Sequence, residues 1–151
     1  MNIIFLDVDG VLNSEEFEVY HPEFCFGLDI YQRELDTLAL IRLQKLVQST
    51  NSVVVISSSW KHSKGLPVLI AALNSYNIGV VGITGHVDSR IRGIEIKNWI
   101  DDNINLVDSY LILDDDEDML YMQKDNFIHI DNKYGLTDKD VAKGISILNG
   151  E

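Results

Sequence analysis

Cysteine is the scarcest informative residue in this sequence of 151 residues, since Cys25 is the single thiol. One thiol cannot form an intramolecular disulfide. A domain of about 150 residues buries roughly two thirds of its unfolded surface, so it needs neither a disulfide nor a structural metal to be stable. The sequence therefore predicts a reducing, intracellular setting, with a cytoplasmic location as the default.

Long apolar runs are also missing. The first segment, MNIIFLDVDG, has only a few apolar residues before Asp7 and no basic residue in front of them. It is too short to span a membrane and does not resemble a signal peptide. We therefore expect no membrane partner, and we interpret these residues as a first β-strand.

Basic side chains are few, because 12 Lys and Arg residues stand against 24 Asp and Glu residues. The formal net charge is −12 and the pI is near 4.5. Such a charge opposes sequence-independent attraction to nucleic acids and anionic membranes. Much of the acidic excess serves solubility. A polyanionic substrate would have to be held by a few local groups. The positions where acidic residues cluster therefore matter more for function than the total charge.

Apolar runs alternate with helical periodicities along the chain. The predicted strands cover residues 3–8, 52–56, 78–81, 110–113 and 127–130, and the predicted helices cover residues 31–50, 66–76, 93–103 and 137–148. Strands that alternate with helices indicate a doubly wound, Rossmann-like α/β domain, a three-layer sandwich with a five-stranded parallel sheet. No linker or repeat interrupts it, so we expect one domain over residues 1–151. Residues 13–30 form the one irregular stretch and are expected to fold over the site as a flap.

Polar residues follow three of the predicted strands, at the sheet edge where ligands of parallel sheets bind. They are Asp7, Asp9 and Gly10 after the first strand, Ser57, Ser58 and Ser59 after the second, and Asp114 and Asp115 after the fourth. Arg90 and Arg92 lie just before the third predicted helix and could reach the same edge. The sequence thus predicts that acids, hydroxyl groups and a cation meet there.

Three carboxylates in one small site cannot all stay ionised without a counter-charge, because like charges raise one another's pKa. A divalent cation supplies that charge. Oxygen ligands without His or Cys nearby favour Mg²⁺ over Zn²⁺. A metal ion, a cation and a hydroxyl group around an aspartate indicate phosphoryl transfer, in which the carboxylate attacks phosphorus and a second acid protonates the leaving oxygen.

The segment DVDGVLN at residues 7–13 resembles the first motif of the haloacid dehalogenase-like (HAD) phosphohydrolases. The serine after the second strand, a basic residue at a helix start and the acidic pair after the fourth strand follow in that family's order. Nearly the whole chain is covered. More narrowly, the chain is similar to the small HAD domains associated with RNA repair proteins, through the segments LNS, SSSWK, RGIEIKNWI, LILDDDEDM and GLTDKDVAKGISIL.

The resemblance implies roles for four acids. Asp7 would be the nucleophile that forms an aspartyl-phosphate, and Asp9 would act as general acid and then as general base. An acid two residues after the nucleophile separates the family's phosphatases from its ATPases. The Asp7 carboxylate and the Asp9 main-chain carbonyl would bind Mg²⁺, and Asp114 or Asp115 would complete the metal site.

The resemblance also implies a phosphate-binding set. Ser57 would hydrogen-bond the phosphoryl group, with Ser58 as the alternative in register, and Gly10 would line the same site. The family's third motif usually supplies a lysine. In this sequence the candidates for that cation are Arg92, which stands at the helix start and is favoured, Lys97 further inside the helix, and Lys61 after the second motif.

Many members of that family carry a separate cap domain, and this chain has room for none. About 17 residues follow the first motif and about 11 follow the third strand, at the two places where caps are inserted. The implied function is a capless, magnesium-dependent phosphatase. Its open site would suit a phosphate on a large molecule, such as a 3′- or 5′-phosphate of a nucleic acid, and no obligate protein partner is implied.

Alternatives come from other classes of protein. A calcium-binding EF-hand loop needs its glycine at position six, and Gly10 is fourth in the acidic loop. A response-regulator receiver carries its phosphorylated aspartate after the third strand, where this chain has no acid. A catalytically silent, acidic metal-binding partner domain would bind metal without turnover, and it stays open.

Overall fold

The computed structural model describes residues 1–24 and 34–151. Five strands form one parallel sheet in the order β3-β2-β1-β4-β5. The strands are β1 (Asn2–Leu6), β2 (Ser52–Ile56), β3 (Val80–Ile83), β4 (Ser109–Asp114) and β5 (Phe127–His129). The predicted five-stranded parallel sheet is confirmed.

Within the described residues the α-helices are α1 (Glu15–Tyr20), α2 (Thr37–Thr50), α3 (Leu66–Ser75), α4 (Arg92–Asp102) and α5 (Asp138–Asn149). Short 3₁₀ turns cover Pro22–Phe24, Ser59–His62 and Tyr121–Asn126. A capping box opens α5, because the Thr137 and Asp140 side chains each accept a bond from the other's backbone N–H.

The strand β1 lies at the centre of the sheet and is buried on both faces. Ile4 and Leu6 belong to the larger apolar cluster, which α2, α3 and α5 complete. Ile3 and Phe5 belong to a smaller cluster that α4 covers through Ile96. Alternate residues of one strand therefore serve opposite faces, as a three-layer α/β fold requires.

The chain reverses direction across the sheet next to β1. It runs outwards from β1 through β2 to β3, and α4 then crosses the other face to bring β4 against the opposite edge of β1. Leu6 pairs with both Ile56 and Leu113. The residues after β1, β2 and β4 therefore meet at one edge, at the topological switch point where ligands of such sheets bind.

Some predicted boundaries differ from the structure. The third strand begins at Val80 instead of residue 78, because Asn77 takes a positive φ of 57° in the turn after α3. The helix expected over residues 31–50 begins at Thr37, with the Asp36 side chain accepting a bond from the backbone N–H of Leu38. The positions 31–33 of that prediction lie outside the described residues.

The flap predicted over residues 13–30 is not wholly irregular. Residues 15–20 form α1, because the Ser14 hydroxyl caps the helix by accepting a bond from the backbone N–H of Phe17. The backbone N–H groups of Glu15 and Glu16 also bond to the loop after β5. Residues 25–30 of the predicted flap, Cys25 included, lie outside the described residues.

Neither insertion point holds a cap domain. In the described part of the chain, residues 13–24 contain one short helix and one 3₁₀ turn, and residues 84–91 join β3 directly to α4. Residues 25–33, which lie outside the described residues, number nine and are too few to form a domain. Among the described residues, no helix is long and apolar enough to cross a membrane.

The packing of α2 gives a test of the core. Replacing Leu43, which is fully buried, with alanine should lower the free energy of unfolding by about 2–5 kcal/mol, because the side chain leaves a cavity. Leu38→Ala on the same helix is the matched control, since Leu38 is 51% exposed and its loss should change stability by less than about 0.5 kcal/mol. Urea denaturation measures both, and equal losses would contradict this assignment of the helix faces.

Candidate active site

Three carboxylates meet at the switch point. Asp7 follows β1, Asp114 ends β4 and Asp115 follows it. Each offers an oxygen, and these oxygens all lie within 4.8 Å of one another. Asp7 is 6% exposed and Asp114 is fully buried. The backbone N–H of Asp7 bonds to the carbonyl of Leu113 at 3.0 Å, so the sheet itself places the first two carboxylates side by side.

Arg92 supplies a positive charge to this cluster. Its Nη1 donates to Asp7 Oδ1 at 3.0 Å and to Asp114 Oδ2 at 3.1 Å. Burial by itself would lower the pKa of the guanidinium, but Asp7 and Asp114 raise it above its ordinary value. One arginine therefore bridges the residue expected to be the nucleophile and a residue expected to bind metal.

The start of α4 is held by the loop after β4. The backbone N–H of Arg92 donates to the Asp118 carboxylate at 2.9 Å, and that of Gly93 donates to the Asp118 carbonyl at 3.1 Å. A side chain at position 93 would not fit, because its Cβ would lie 2.6 Å from the backbone nitrogen of Leu120. Asp118 therefore positions Arg92 by fixing the helix terminus.

The carboxylates repel one another strongly. Burial, followed by the charge of Asp7, raises the pKa of Asp114 to about 8. Burial and a hydrogen bond with Asp7 raise the pKa of Asp115 to about 7. Arg92 opposes the rise at Asp114 but does not cancel it. The cluster thus holds more negative charge than one arginine can balance, which is a property of a divalent-cation site.

The donors available fit a hard divalent cation. The set consists of carboxylate oxygens, and His and Cys are absent from the described acidic cluster. Gly10 leaves the necessary room, because its φ is +81° and a Cβ there would collide with the Asp115 carboxylate. The residues that would hold the ion are Asp7, Asp114 and Asp115, together with the main-chain carbonyl of Asp9 that the resemblance implies.

The two serine candidates differ in their surroundings. Ser57 follows β2, its backbone N–H bonds to the carbonyl of Leu6, and its fully buried Oγ has no partner within the described residues. Ser58 caps the 3₁₀ turn instead, since its Oγ accepts a bond from the backbone N–H of Trp60 at 3.2 Å. A buried hydroxyl without a partner is costly. Ser57 is therefore the better placed of the two to bind an incoming phosphoryl oxygen.

The Asp9 carboxylate accepts two side-chain hydrogen bonds. Trp60 Nε1 donates to Oδ2 at 3.0 Å, and Asn13 Nδ2 donates to Oδ1 at 3.3 Å. Asp9 also lines a cavity of about 140 Å³ that opens to solvent beside the cluster. The remaining residues that line it are Gly10, Asn13, Glu15, Glu18, Asp115 and Asn132.

A larger cavity, of about 410 Å³, lies between α1, α2 and the start of α5. Phe17, Arg42 and Tyr134 are among the residues that line it, and none of the three clustered carboxylates does. Size alone would favour this cavity. The chemistry favours the smaller one, because it contains Asp9 and Asp115.

Lys61 and Lys97 do not join the carboxylate cluster. Lys61 is buried, and its Nζ bonds to Glu95 Oε2 at 2.6 Å and Thr84 Oγ1 at 2.8 Å. Burial lowers the pKa of Lys61, against the opposing effect of Glu95. Lys97 is 41% exposed and pairs with Asp101 one turn further along α4. Of the three cations proposed for the third motif, Arg92 is the one that contacts Asp7.

Sequence reasoning missed several supporting residues. Trp60 is buried, and its indole N–H bonds to Asp9, which lies far from it in sequence. Glu95 gave no signal, although its place one turn after Arg92 makes it the partner of Lys61. Asp118 binds the first backbone N–H groups of α4 and so supports the site through Arg92.

Burial, together with the neighbouring Asp7, disfavours the charged form of Asp115, and this predicts a stabilising substitution. The pKa of Asp115 is raised to about 7, whereas an unfolded carboxyl titrates near pH 4. The destabilisation is therefore absent below about pH 4, grows as pH rises and is complete above about pH 7. In chelator at pH 8, Asp115→Asn should raise the Tm by about 2–4 °C, on the order of 1 kcal/mol after allowance for partial exposure.

Thermal unfolding tests this, with Asp116→Asn as the control, because Asp116 is exposed and contributes its backbone N–H to Asp114. The gain should shrink at pH 5. Added magnesium chloride should stabilise the native chain more than Asp115→Asn. A destabilised Asp115→Asn in chelator at pH 8 would contradict the proposed repulsion.

Comparison with known proteins agrees with the geometry. The family described as the HAD domain in Swiss Army Knife RNA repair proteins matches residues 3–141. No match was found among curated proteins or among solved structures. The matched region extends from β1 into α5 and includes every residue of the carboxylate cluster, Ser57 and Arg92. The resemblance noted from the sequence is therefore confirmed, and the chain belongs to this family of capless HAD domains.

Proposed function

We propose that this protein is a magnesium-dependent phosphatase that hydrolyses phosphomonoesters through an aspartyl-phosphate on Asp7. Membership of the family supports HAD-type phosphohydrolase chemistry. The observation that carries the proposal is the bridge from Arg92 to Asp7 and Asp114, at a sheet edge that also holds Ser57 with a buried, unpartnered hydroxyl among the described residues. These residues would supply a nucleophile, a cation and a phosphate-binding hydroxyl group at one edge of the sheet.

In the first step, a carboxylate oxygen of Asp7 attacks phosphorus. The bond between that oxygen and phosphorus forms, and the bond from phosphorus to the leaving oxygen breaks. Asp9 donates its proton to the leaving oxygen, so the alcohol departs neutral. The nucleophile lies against Arg92 and is held by the end of β1, which supplies orientation before the substrate arrives.

In the second step, Asp9 takes a proton from water, and the water oxygen attacks phosphorus. The bond between phosphorus and the Asp7 oxygen breaks, which releases phosphate and restores the Asp7 carboxylate. Asp9 returns to its protonated form. Both steps therefore use the same pair of carboxyl groups, and no other proton donor is required.

The groups around the phosphoryl site neutralise its charge. Arg92 and the Ser57 hydroxyl would bind the equatorial oxygens, where negative charge develops in the transition state. A magnesium ion held by Asp7, the Asp9 main-chain carbonyl and Asp114 or Asp115 would supply the further positive charge that lets these carboxylates ionise together. Gly10 would let the backbone approach this site closely.

The substrate class that we propose is a phosphate at the end of a nucleic acid. The family description refers to RNA repair proteins, and a capless site admits large substrates. The net charge of −12 opposes long contacts with a phosphodiester backbone, so a single terminal phosphate is the expected contact. Phosphate release from 3′-phosphorylated and 5′-phosphorylated oligoribonucleotides, compared with nucleoside monophosphates, measures this preference.

A catalytically silent metal-binding partner domain is not favoured. Such a domain would need the carboxylates alone. It would have no use for an arginine that bridges Asp7 and Asp114 or for the unpartnered hydroxyl of Ser57.

The nucleophile assignment predicts that Asp7→Asn abolishes turnover, because an amide does not attack phosphorus. Phosphate release from p-nitrophenyl phosphate with magnesium should fall at least about 10³-fold, and chelator should abolish the native activity. Asp102→Asn is the matched control, since Asp102 is exposed at the far end of α4. Asp7→Asn activity within a few-fold of the native protein would remove Asp7 from this role.

The acid assignment predicts that Asp9→Asn affects substrates unequally. Protonation matters most for a poor leaving group, so kcat for an alkyl phosphate should fall by about 10²-fold or more. The kcat/KM for p-nitrophenyl phosphate should fall less, because nitrophenolate leaves without a proton and kcat/KM does not include the later hydrolysis of the aspartyl-phosphate. Steady-state kinetics on both esters tests this, and equal losses would argue that Asp9 is not the general acid.

A further inference from the structure

We propose that Trp60 is a positioning residue whose indole N–H holds the Asp9 carboxylate in the orientation that protonates the leaving group. The inference rests on the proposed function, because it assumes that Asp9 is the general acid. The observation is the 3.0 Å hydrogen bond from Trp60 Nε1 to Asp9 Oδ2, made by a side chain that is 1% exposed.

The location of Trp60 makes this bond rigid. The residue lies in the 3₁₀ turn Ser59–His62, which starts directly after the polar end of β2. The Ser58 hydroxyl caps that turn through the backbone N–H of Trp60, and the ring packs in the larger apolar cluster. A buried indole has few rotamers available, so its N–H points in a fixed direction.

Each oxygen of the Asp9 carboxylate accepts a hydrogen bond from a neighbouring side chain. Oδ2 accepts the 3.0 Å bond from Trp60, and Oδ1 accepts a 3.3 Å bond from Asn13. The bond from the buried indole is the shorter of these two, and it fixes the plane of the carboxyl group. In the first step the proton would leave the Asp9 carboxyl group for the leaving-group oxygen, while the indole keeps its own proton throughout.

A structural role alone would not require this acceptor. A buried indole N–H needs some hydrogen-bond partner, and a backbone carbonyl of a neighbouring turn would satisfy it. Here the acceptor is a carboxylate on another strand end, 51 residues away in sequence. The same turn also follows Ser57, so one short segment would set both the phosphate-binding hydroxyl and the direction of the acid.

The test compares Trp60→Phe with Trp99→Phe on two substrates. Trp99 is the matched control, because it packs edge-on against Phe5 in the other apolar cluster. For Trp60→Phe we expect kcat on glycerol 2-phosphate to fall about 10-fold to 100-fold, as for a misplaced catalytic group, with KM within about two-fold. The kcat/KM on p-nitrophenyl phosphate should change less than about two-fold, because kcat/KM covers only the steps up to departure of the leaving group. Trp99→Phe should show no difference between the esters.

Three further measurements separate a positioning role of Trp60 from a packing role. Trp60 replaced by 3-benzothienylalanine keeps the ring shape and lacks the N–H, so it should reproduce the selective loss even where Trp60→Phe does not fold. In a double-mutant cycle, Trp60→Phe should add little to Asp9→Asn on the alkyl ester. In NMR spectra, Asp9→Asn should move the indole N–H resonance of Trp60 and leave that of Trp99 in place.

The outcomes distinguish this inference from the function on which it rests. Native protein without magnesium-dependent turnover of either ester, or of a phosphorylated oligoribonucleotide, would overturn both. Native turnover with selective loss in Asp9→Asn, but equal losses or none in the Trp60 variants, would overturn the positioning role alone. Selective loss in the Trp60 variants that disappears in the Asp9→Asn background would support it.

Discussion

The crowding of negative charge at the ends of β1 and β4 is the constraint to which the rest of the site responds. Parallel pairing of these strands brings Asp7 and Asp114 together, and Asp115 follows directly. Arg92 offsets part of the repulsion, and Gly10 leaves space for Asp115. Burial and the remaining negative charge keep the pKa values of Asp114 and Asp115 raised. A divalent cation would balance that negative charge.

The position of Arg92 depends on two separate tethers of α4. At the helix terminus, Asp118 binds the first backbone N–H groups. One turn further along, Glu95 pairs with the buried Lys61, which belongs to the turn after β2. A buried ion pair adds little net stability but specifies geometry. The cation of the site is therefore fixed against both neighbouring strand ends, although it lies on a helix.

Much of this arrangement could be predicted from the sequence. Apolar runs and helical periodicity predict the succession of strands and helices along the chain. The residues at the predicted strand ends include the acids and serines of the site, and the residue at the start of the third predicted helix is its arginine. The sequence favours Arg92 as the cation but leaves Lys61 and Lys97 open, because the choice depends on which face of α4 meets the sheet edge and on the partner that Lys61 finds when buried. The hydrogen bond from Trp60 to Asp9 was equally invisible, since it joins residues 51 positions apart.

The charges of the residues around the small cavity affect how much of a phosphorylated substrate the site would contact. The described residues that line the small cavity include four acids, Asp9, Glu15, Glu18 and Asp115. Arg92 is not among the lining residues and contacts Asp7 and Asp114 instead. The lining of this cavity is therefore acidic. Under the proposed function, a single terminal phosphate would contact Arg92, whereas a neighbouring phosphodiester would lie among the carboxylates of the cavity. Such repulsion acts within about 8 Å at physiological ionic strength, so we expect the site to accept the end of a chain more readily than its interior.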